Sequence, residues 1–391
     1  MRPLNPTVVA CPPSGIRRFF DIAASMEDVI SLGVGEPDYA TPWRIREAGI
    51  YALESGITTY TSNAGLLELR EAICADLDRR YAVSYRPADE CLITAGVSEG
   101  LDLALRALLA PGDEVLIPEP CYVAYSPCVS LAGGNPVTVA TSGTDGFRLH
   151  ADRIAAAITP KTKAILLSSP ANPTGAVQSR EDLAAVVDLA VEHDLYLISD
   201  EIYERLSYLS PHACVAALPG AHERTVLLGG FSKAYAMTGW RVGYLCAPAP
   251  ISELACRIHQ YTMLCASHIS QLAALEALRT GEADADEMIA DYDRRRRIFV
   301  KGLCEIGMDC PEPGGAFYAF PSISSTGLTS QEFAEQLLYA ERVAVVPGDV
   351  FGASGEGHVR CCYATALSEL EEALVRIERF LGKLPAAPTA H

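Results

Sequence analysis

The chain has 391 residues, of which 49% are hydrophobic and 20% charged, and its formal net charge is −18. That length allows two domains with sizeable cores, and so acidic a balance argues against a nucleic-acid or anionic-membrane partner. Its 13 cysteines contain no Cys-x-x-Cys, only the adjacent Cys361 and Cys362, and its 8 histidines form no His-x-His or His-Glu-x-x-His pair. A zinc ribbon or thioredoxin motif is thereby excluded, metal binding has no support, and thiols such as Cys74, Cys246 and Cys256 read as buried and reduced.

Residues 1–15 are proline-rich and lack the continuous apolar core of a signal peptide. No apolar run approaches the roughly 18 residues of a membrane span. The expected location is the cytoplasm. A short helix is expected over 16–24 and a strand over 29–32, leading into Gly33-Val34-Gly35-Glu36-Pro37-Asp38. This Gly-x-Gly lacks the third glycine of a dinucleotide fingerprint, and Pro37 stands where the helix would run.

Helices are expected over 42–55 and 66–81, with a turn-rich link between them. A regular alternation follows. Apolar runs at 91–94, 114–118, 137–140, 164–168, 195–199, 226–229 and 244–247 read as strands, and 99–109, 149–158 and 180–193 as intervening helices. Strands alternating with helices predict an α/β fold whose mostly parallel sheet is flanked by helices, with ligands bound at the carboxyl ends of the strands. Further helices are expected over 251–263 and 270–278. A long one over 283–306 carries Arg294 to Arg297, which read as a solvated face. Gly314-Gly315-Ala316-Phe317-Tyr318, a helix at 330–340 and strands near 343–346 and 359–363 describe a smaller α+β domain.

The chemistry centres on Gly229-Gly230-Phe231-Ser232-Lys233-Ala234-Tyr235-Ala236-Met237-Thr238-Gly239-Trp240-Arg241-Val242-Gly243, entered from the apolar run at 225–228. A lysine in a tight bend behind a buried strand can be desolvated, lose its proton and become an amine nucleophile. Ser232 and Arg241 can hold an anion beside it. The strand at 195–199 runs into Asp200-Glu201-Ile202-Tyr203, and an aspartate there is costly unless it meets a cation or caps a helix. Ser169-Pro170-Ala171-Asn172-Pro173-Thr174-Gly175 forms a rigid loop presenting the Asn172 amide. Thr94-Ala95-Gly96-Val97-Ser98 opens a helix whose free N–H groups can cradle a phosphate. Each alone has an ordinary structural reading. Together they form the set that pyridoxal 5'-phosphate requires: an amine, a carboxylate, a phosphate site and aromatic hydroxyls.

With these motifs in order, the chain from Gly33 to Arg360 resembles fold-type I pyridoxal-phosphate enzymes, specifically class I/II aminotransferases of the aspartate and aromatic type. The resemblance implies that Lys233 forms the Schiff base and shuttles the proton, and that Asp200 keeps the pyridine nitrogen protonated. It implies that Asn172 and Tyr203 bind the 3'-oxygen, Tyr122 stacks on the ring, and Val97, Ser98, Ser232 and Arg241 hold the phosphate. Tyr60 would reach the phosphate of a neighbouring subunit, implying a homodimer with shared sites. Arg360, helped by the Gly35 N–H and Asn172, would clamp the substrate carboxylate. An arm at 1–40, a large domain at 41–285 and a small domain at 286–391, joined by a helix at about 286–306, are expected.

The substrate is less defined. Some aspartate-type members carry lysine where this chain has Ser98, while Ser14-Gly15-Ile16-Arg17 and His259-Gln260-Tyr261 look like transaminases acting on aromatic or N-acyl-diaminopimelate substrates. The expected acceptor is a 2-oxo acid, 2-oxoglutarate by family resemblance. A carbon–sulfur lyase on the same fold would share Lys233, Asp200 and Arg360.

Overall fold

A computed structural model describes residues 2–13, 15 and 26–384. The helix expected over 16–24 and most of the motif that begins at Ser14 lie outside the described residues. The strands are β1 (Ile30–Ser31), β2 (Cys91–Thr94), β3 (Glu114–Glu119), β4 (Asn135–Ala140), β5 (Thr162–Ser168), β6 (Tyr196–Asp200), β7 (Thr225–Gly230), β8 (Gly243–Cys246), β9 (Tyr318–Ala319), β10 (Val343–Ala344), β11 (Val346–Pro347) and β12 (Val359–Cys362).

A seven-stranded sheet has the order β2-β8-β7-β6-β5-β3-β4. All its pairs are parallel except those of β8, which runs antiparallel to both β2 and β7. Alternate residues of one strand feed two separate cores. Ile117, Leu166, Ile198 and Leu228 pack with Leu101 and Leu105 on one face, while Leu116, Ile165 and Leu197 pack with Leu183 and Val186 on the other. A two-sided burial of this kind explains why the strands read as continuous apolar runs rather than alternating ones. Each fully buried Leu or Ile contributes about 1.5–3 kcal/mol. The helix Arg180–Glu192 starts at Ser179, whose side chain accepts from the Asp182 N–H.

Two smaller sheets complete the chain. β1 pairs in parallel with β10, and β11-β12-β9 form an antiparallel group. The helix Ser330–Glu341 opens with a capping box between Thr329 and Glu332. The 24-residue helix Glu282–Glu305 matches the expected long pattern, but its arginines do not form a solvated face. Arg294 and Arg297 point to solvent, whereas Arg295 and Arg296 are buried. Arg295 lies 2.7 Å from both Asp38 and Asp291, and Arg296 lies 2.8 Å from Asp293 and 2.7 Å from Glu312. Four consecutive helical residues sweep around the whole cylinder, so a run of four must send some side chains to the packed side.

Three helices fall outside the expected elements, Tyr125–Leu131, Leu367–Leu381 and the five-residue Pro6–Ala10. The second has no side-chain cap, but its buried Leu370, Ala373, Ile377 and Phe380 recur at helical spacing, so the periodic signal was present. No helix among the described residues is long and apolar enough to cross a membrane.

Candidate active site

The carboxyl ends of β5, β6 and β7 meet the start of the helix Val97–Leu108 around a cavity of about 390 Å³. Gly35, Val97, Ser98, Tyr122, Asn172, Asp200, Tyr203, Ser232, Lys233, Arg241 and Arg360 all line it. Eleven residues spread over more than three hundred positions of sequence thus converge on one space. Tyr60 does not join them: it is 79% exposed on the surface.

Lys233 follows the β7 turn. As a residue it is partly open to the cavity, yet its amine sits 5.6 Å from the Tyr203 ring centre and 5.5 Å from that of Phe317. The amine donates to the Gly35 carbonyl at 2.6 Å. The carbonyl of Gly35, rather than its N–H, is therefore what this residue offers the lysine. Burial pulls the lysine pKa down from 10.5 to about 8; Arg360 adds to the effect, while Cys362, Glu36 and Asp200 oppose it. Arg241, which also lines the cavity, donates to the Thr238 and Ala95 carbonyls at 3.0 and 3.4 Å.

Asp200 closes β6 and is buried. One oxygen accepts from the Tyr125 hydroxyl at 2.8 Å and the other from the Ile202 N–H at 3.2 Å. Burial raises its pKa to about 6, against the two hydrogen bonds, and neighbouring Glu201 pushes the same way as burial. A carboxylate so placed is stabilised by any cation that enters the cavity. Tyr125 was not anticipated from sequence; only the helix that carries it aims its hydroxyl at Asp200.

Arg360 comes from β12, opposite Val346 of β11. It is buried and donates to the Asn172 side-chain oxygen at 2.9 Å and to the Gly33 carbonyl at 2.6 Å. Its guanidinium lies 4.5 Å from the Tyr318 ring centre and 4.9 Å from that of Phe351. Its Nε is buried without a hydrogen-bond partner, an expensive state for a charged donor unless a ligand completes it. Tyr318, also a cavity residue, shares a 2.7 Å hydrogen bond with the Tyr203 hydroxyl. A side chain on Gly35 would put its Cβ 2.5 Å from the Tyr318 hydroxyl, so only glycine fits there.

The anion cradle is built from backbone. Gly96 precedes the helix with φ +80°, and a Cβ there would stand 2.7 Å from Arg241 Nη2. Gly243 of β8 likewise lets the strand approach, since a Cβ would meet the Val97 nitrogen at 2.8 Å. Glu99 and Gly100 donate to the Gly96 carbonyl, whereas Val97 and Ser98, the first two residues of that helix, line the same cavity as Ser232 and Arg241. Gly96→Ala is expected to cost about 1–3 kcal/mol, read by denaturant unfolding, because both the backbone conformation and the Arg241 contact are violated. No cluster of three or more metal-ligating side chains occurs among the described residues.

A family model for aminotransferase class I and II matches residues 27–377. The chain is 55% identical to the putative aminotransferase YugH of Bacillus subtilis, over 97% of this chain and 98% of that protein. It is 48% identical to an aspartate aminotransferase of Pyrococcus abyssi, over 94% and 96% of the two chains. The crystal structure of an aromatic aminotransferase from Pyrococcus horikoshii superposes with a TM-score of 0.90 at 46% identity, covering 94% of this chain and 99% of that one. The chain belongs to the class I and II aminotransferase family. It is a transaminase.

Proposed function

We propose that this aminotransferase binds pyridoxal 5'-phosphate in the 390 Å³ cavity and moves the amino group of an L-amino acid to a 2-oxo acid, with 2-oxoglutarate as the acceptor. The observation that carries this reading is the enclosed Lys233 amine, held in one space with a buried acid, a buried arginine and a backbone anion cradle. The donor set suits the cofactor. The cradle at Gly96 and Arg241 fits a phosphate, Asp200 suits a protonated ring nitrogen, and the unpartnered Arg360 Nε is ready for a carboxylate oxygen.

When bound, pyridoxal phosphate supplies an aldehyde carbon for the amino group and a ring that accepts the electrons released on breaking the Cα–H bond. The chain does the rest. Lys233 would provide the amine that holds the aldehyde carbon and the base that carries the substrate's Cα proton. Asp200, fixed by Tyr125, would keep a proton on the ring nitrogen. Asn172 and Tyr203 would donate to the 3'-oxygen, and Tyr122 would lie against the ring. Val97, Ser98, Ser232 and Arg241 would hold the phosphate. Arg360, with Gly35 and Asn172, would orient the α-carboxylate of the substrate.

The exposed Tyr60 supports a homodimer in which this side chain reaches the phosphate site of a second copy. We assign residues 1–40 to an arm, 41–285 to a large cofactor-binding domain and 286–391 to a small domain that carries Arg360. A cytoplasmic location accords with the thirteen free thiols. For the donor, relatives include aspartate, aromatic and N-acetyl-LL-diaminopimelate aminotransferases. Ser98 at the cavity rim offers no cation for a second carboxylate.

The test is a panel of aspartate, aromatic and N-acyl-diaminopimelate donors, each mixed with cofactor-loaded protein without acceptor. At least one donor is expected to bleach the visible absorption band, and 2-oxoglutarate to restore it. If none bleaches it, or if a sulfur amino acid instead releases pyruvate and ammonia without acceptor, the transfer reading fails.

A further inference from the structure

Glu201, next to Asp200, has no part in the chemistry above, yet it is buried and fully engaged. Its Oε1 accepts from the Ser199 hydroxyl at 2.9 Å and the Val215 N–H at 3.0 Å, and its Oε2 meets His212 Nε2 at 2.6 Å. Both side chains of this pair are 3% exposed. The other imidazole nitrogen, Nδ1, is buried without a partner. His212 also lines a second, open cavity of about 690 Å³, separate from the lysine cavity. Glu201, the residue after Asp200, is thus joined through His212 to that open cavity.

A negative charge on the buried residue next to Asp200 disfavours the Asp200 carboxylate unless it is compensated. Glu201 does push the Asp200 proton affinity upward. Whether it acts with a whole negative charge or a balanced one depends on the His212 proton. We infer that Glu201 and His212 are positioning residues that set, through Asp200, how firmly the cofactor ring nitrogen holds its proton. This inference rests on the pyridoxal-phosphate reading.

Every charged group near the pair bears on it. His212 faces Glu201 and the edge of the Tyr81 ring at 5.4 Å. Tyr81 and Arg80 both bond Glu204, and Arg79, Arg205, Asp286 and Asp293 stand around the cavity. Glu201 also acts on the Cys214 thiol and the Tyr85 phenol, and Asp200 on Tyr125 and Lys233. Burial works against a proton on His212, but Glu201 and Glu204 outweigh it and Arg80, so the imidazole stays protonated above its usual range. Below that range's upper end the pair is neutral; above it, the pair is negative.

The sign follows. His212→Gln removes the cationic partner of Glu201, and a less compensated charge beside Asp200 favours the protonated form of the bound cofactor. The pH midpoint of its visible absorption band is expected to rise by about half a unit or more. The double variant Glu201→Gln, His212→Gln has no charge at the pair and is expected to return the midpoint to or below the wild-type value. A purely structural role would move both variants in the same direction. Coincident midpoints in all three proteins would overturn the inference.

A second measurement needs no variant. The His212 titration, followed by NMR in histidine-labelled protein, is expected to shift when pyridoxal phosphate is added, because the charge facing Asp200 then changes. An unchanged titration would also sink the idea. Wild-type protein that never develops the absorption band would instead bring down the cofactor reading, and the inference with it.

Discussion

Lys233→Met is expected to lower transamination by at least ~10⁴-fold, since the proposed function makes one side chain both covalent anchor and proton carrier. Methionine preserves the length and apolar contacts of the stem, so the loss reports the amine and not the packing. Borohydride should then trap cofactor on wild-type protein at Lys233 and on the variant nowhere; residual turnover above a hundredth of wild type would contradict the assigned role. The same substitution has an opposite effect on the cofactor-free protein. Folding takes the Lys233 pKa from 10.5 to about 8, mainly through burial, so the fold strains against the ammonium. The variant is expected to be more stable at pH 7 by about 2 kcal/mol, after allowing for the lost hydrogen bond to Gly35. The folded pKa lies below the unfolded one, so the unfolded chain binds more protons between pH 8 and 10.5. Stability of the wild-type apoprotein should therefore gain from this group as pH rises through that window. Its deficit relative to the variant should close. Urea unfolding at pH 7 and pH 10 checks both signs.

Arg360→Ala is expected to reduce kcat/KM for amino acids by about 10²–10³-fold, the worth of two charge-assisted hydrogen bonds to a carboxylate. Arg360→Lys keeps the charge but not the planar fork, and should recover only part of the loss. The decisive control is an amine substrate with no α-carboxylate, against which the two variants should lose far less. An equal loss on both substrates would show that Arg360 acts by holding Asn172 and Gly33 in place, which it also contacts. Circular dichroism separates either outcome from unfolding.

Much of the fold was legible because its physical causes are local. The central strand runs between 91 and 247 are mostly apolar, as strands covered on both faces must be, while the edge strand β4 is largely exposed. The Lys233 segment was legible for a related reason. Glycines at 96, 229 and 243 are demanded by contacts that any Cβ would violate, so spacing alone betrays a crowded bend. The arginine run shows the limit. Four like charges suggest water, but the partners of Arg295 and Arg296 include Asp38 and Glu312, and only packing of the long helix brings them together.

The site divides in the same way. Sequence by itself determined which residue types stand at the strand ends: a lysine, an aspartate, an asparagine and two arginines in an order that implies one chemistry. It did so because most of them stand at or just beyond a strand end, where the backbone demands are short-range, although Arg360 lies inside β12. The tertiary structure alone decided the partners and therefore the electrostatics. Tyr125 reaches Asp200 across 75 residues, Tyr203 meets Tyr318 across 115, and Arg360 meets Asn172 across 188. No local pattern encodes such pairings, since they depend on how separate elements pack. The lowered pKa of Lys233 belongs to the same class, because burial, its main cause, is a property of the assembled cavity and not of the bend.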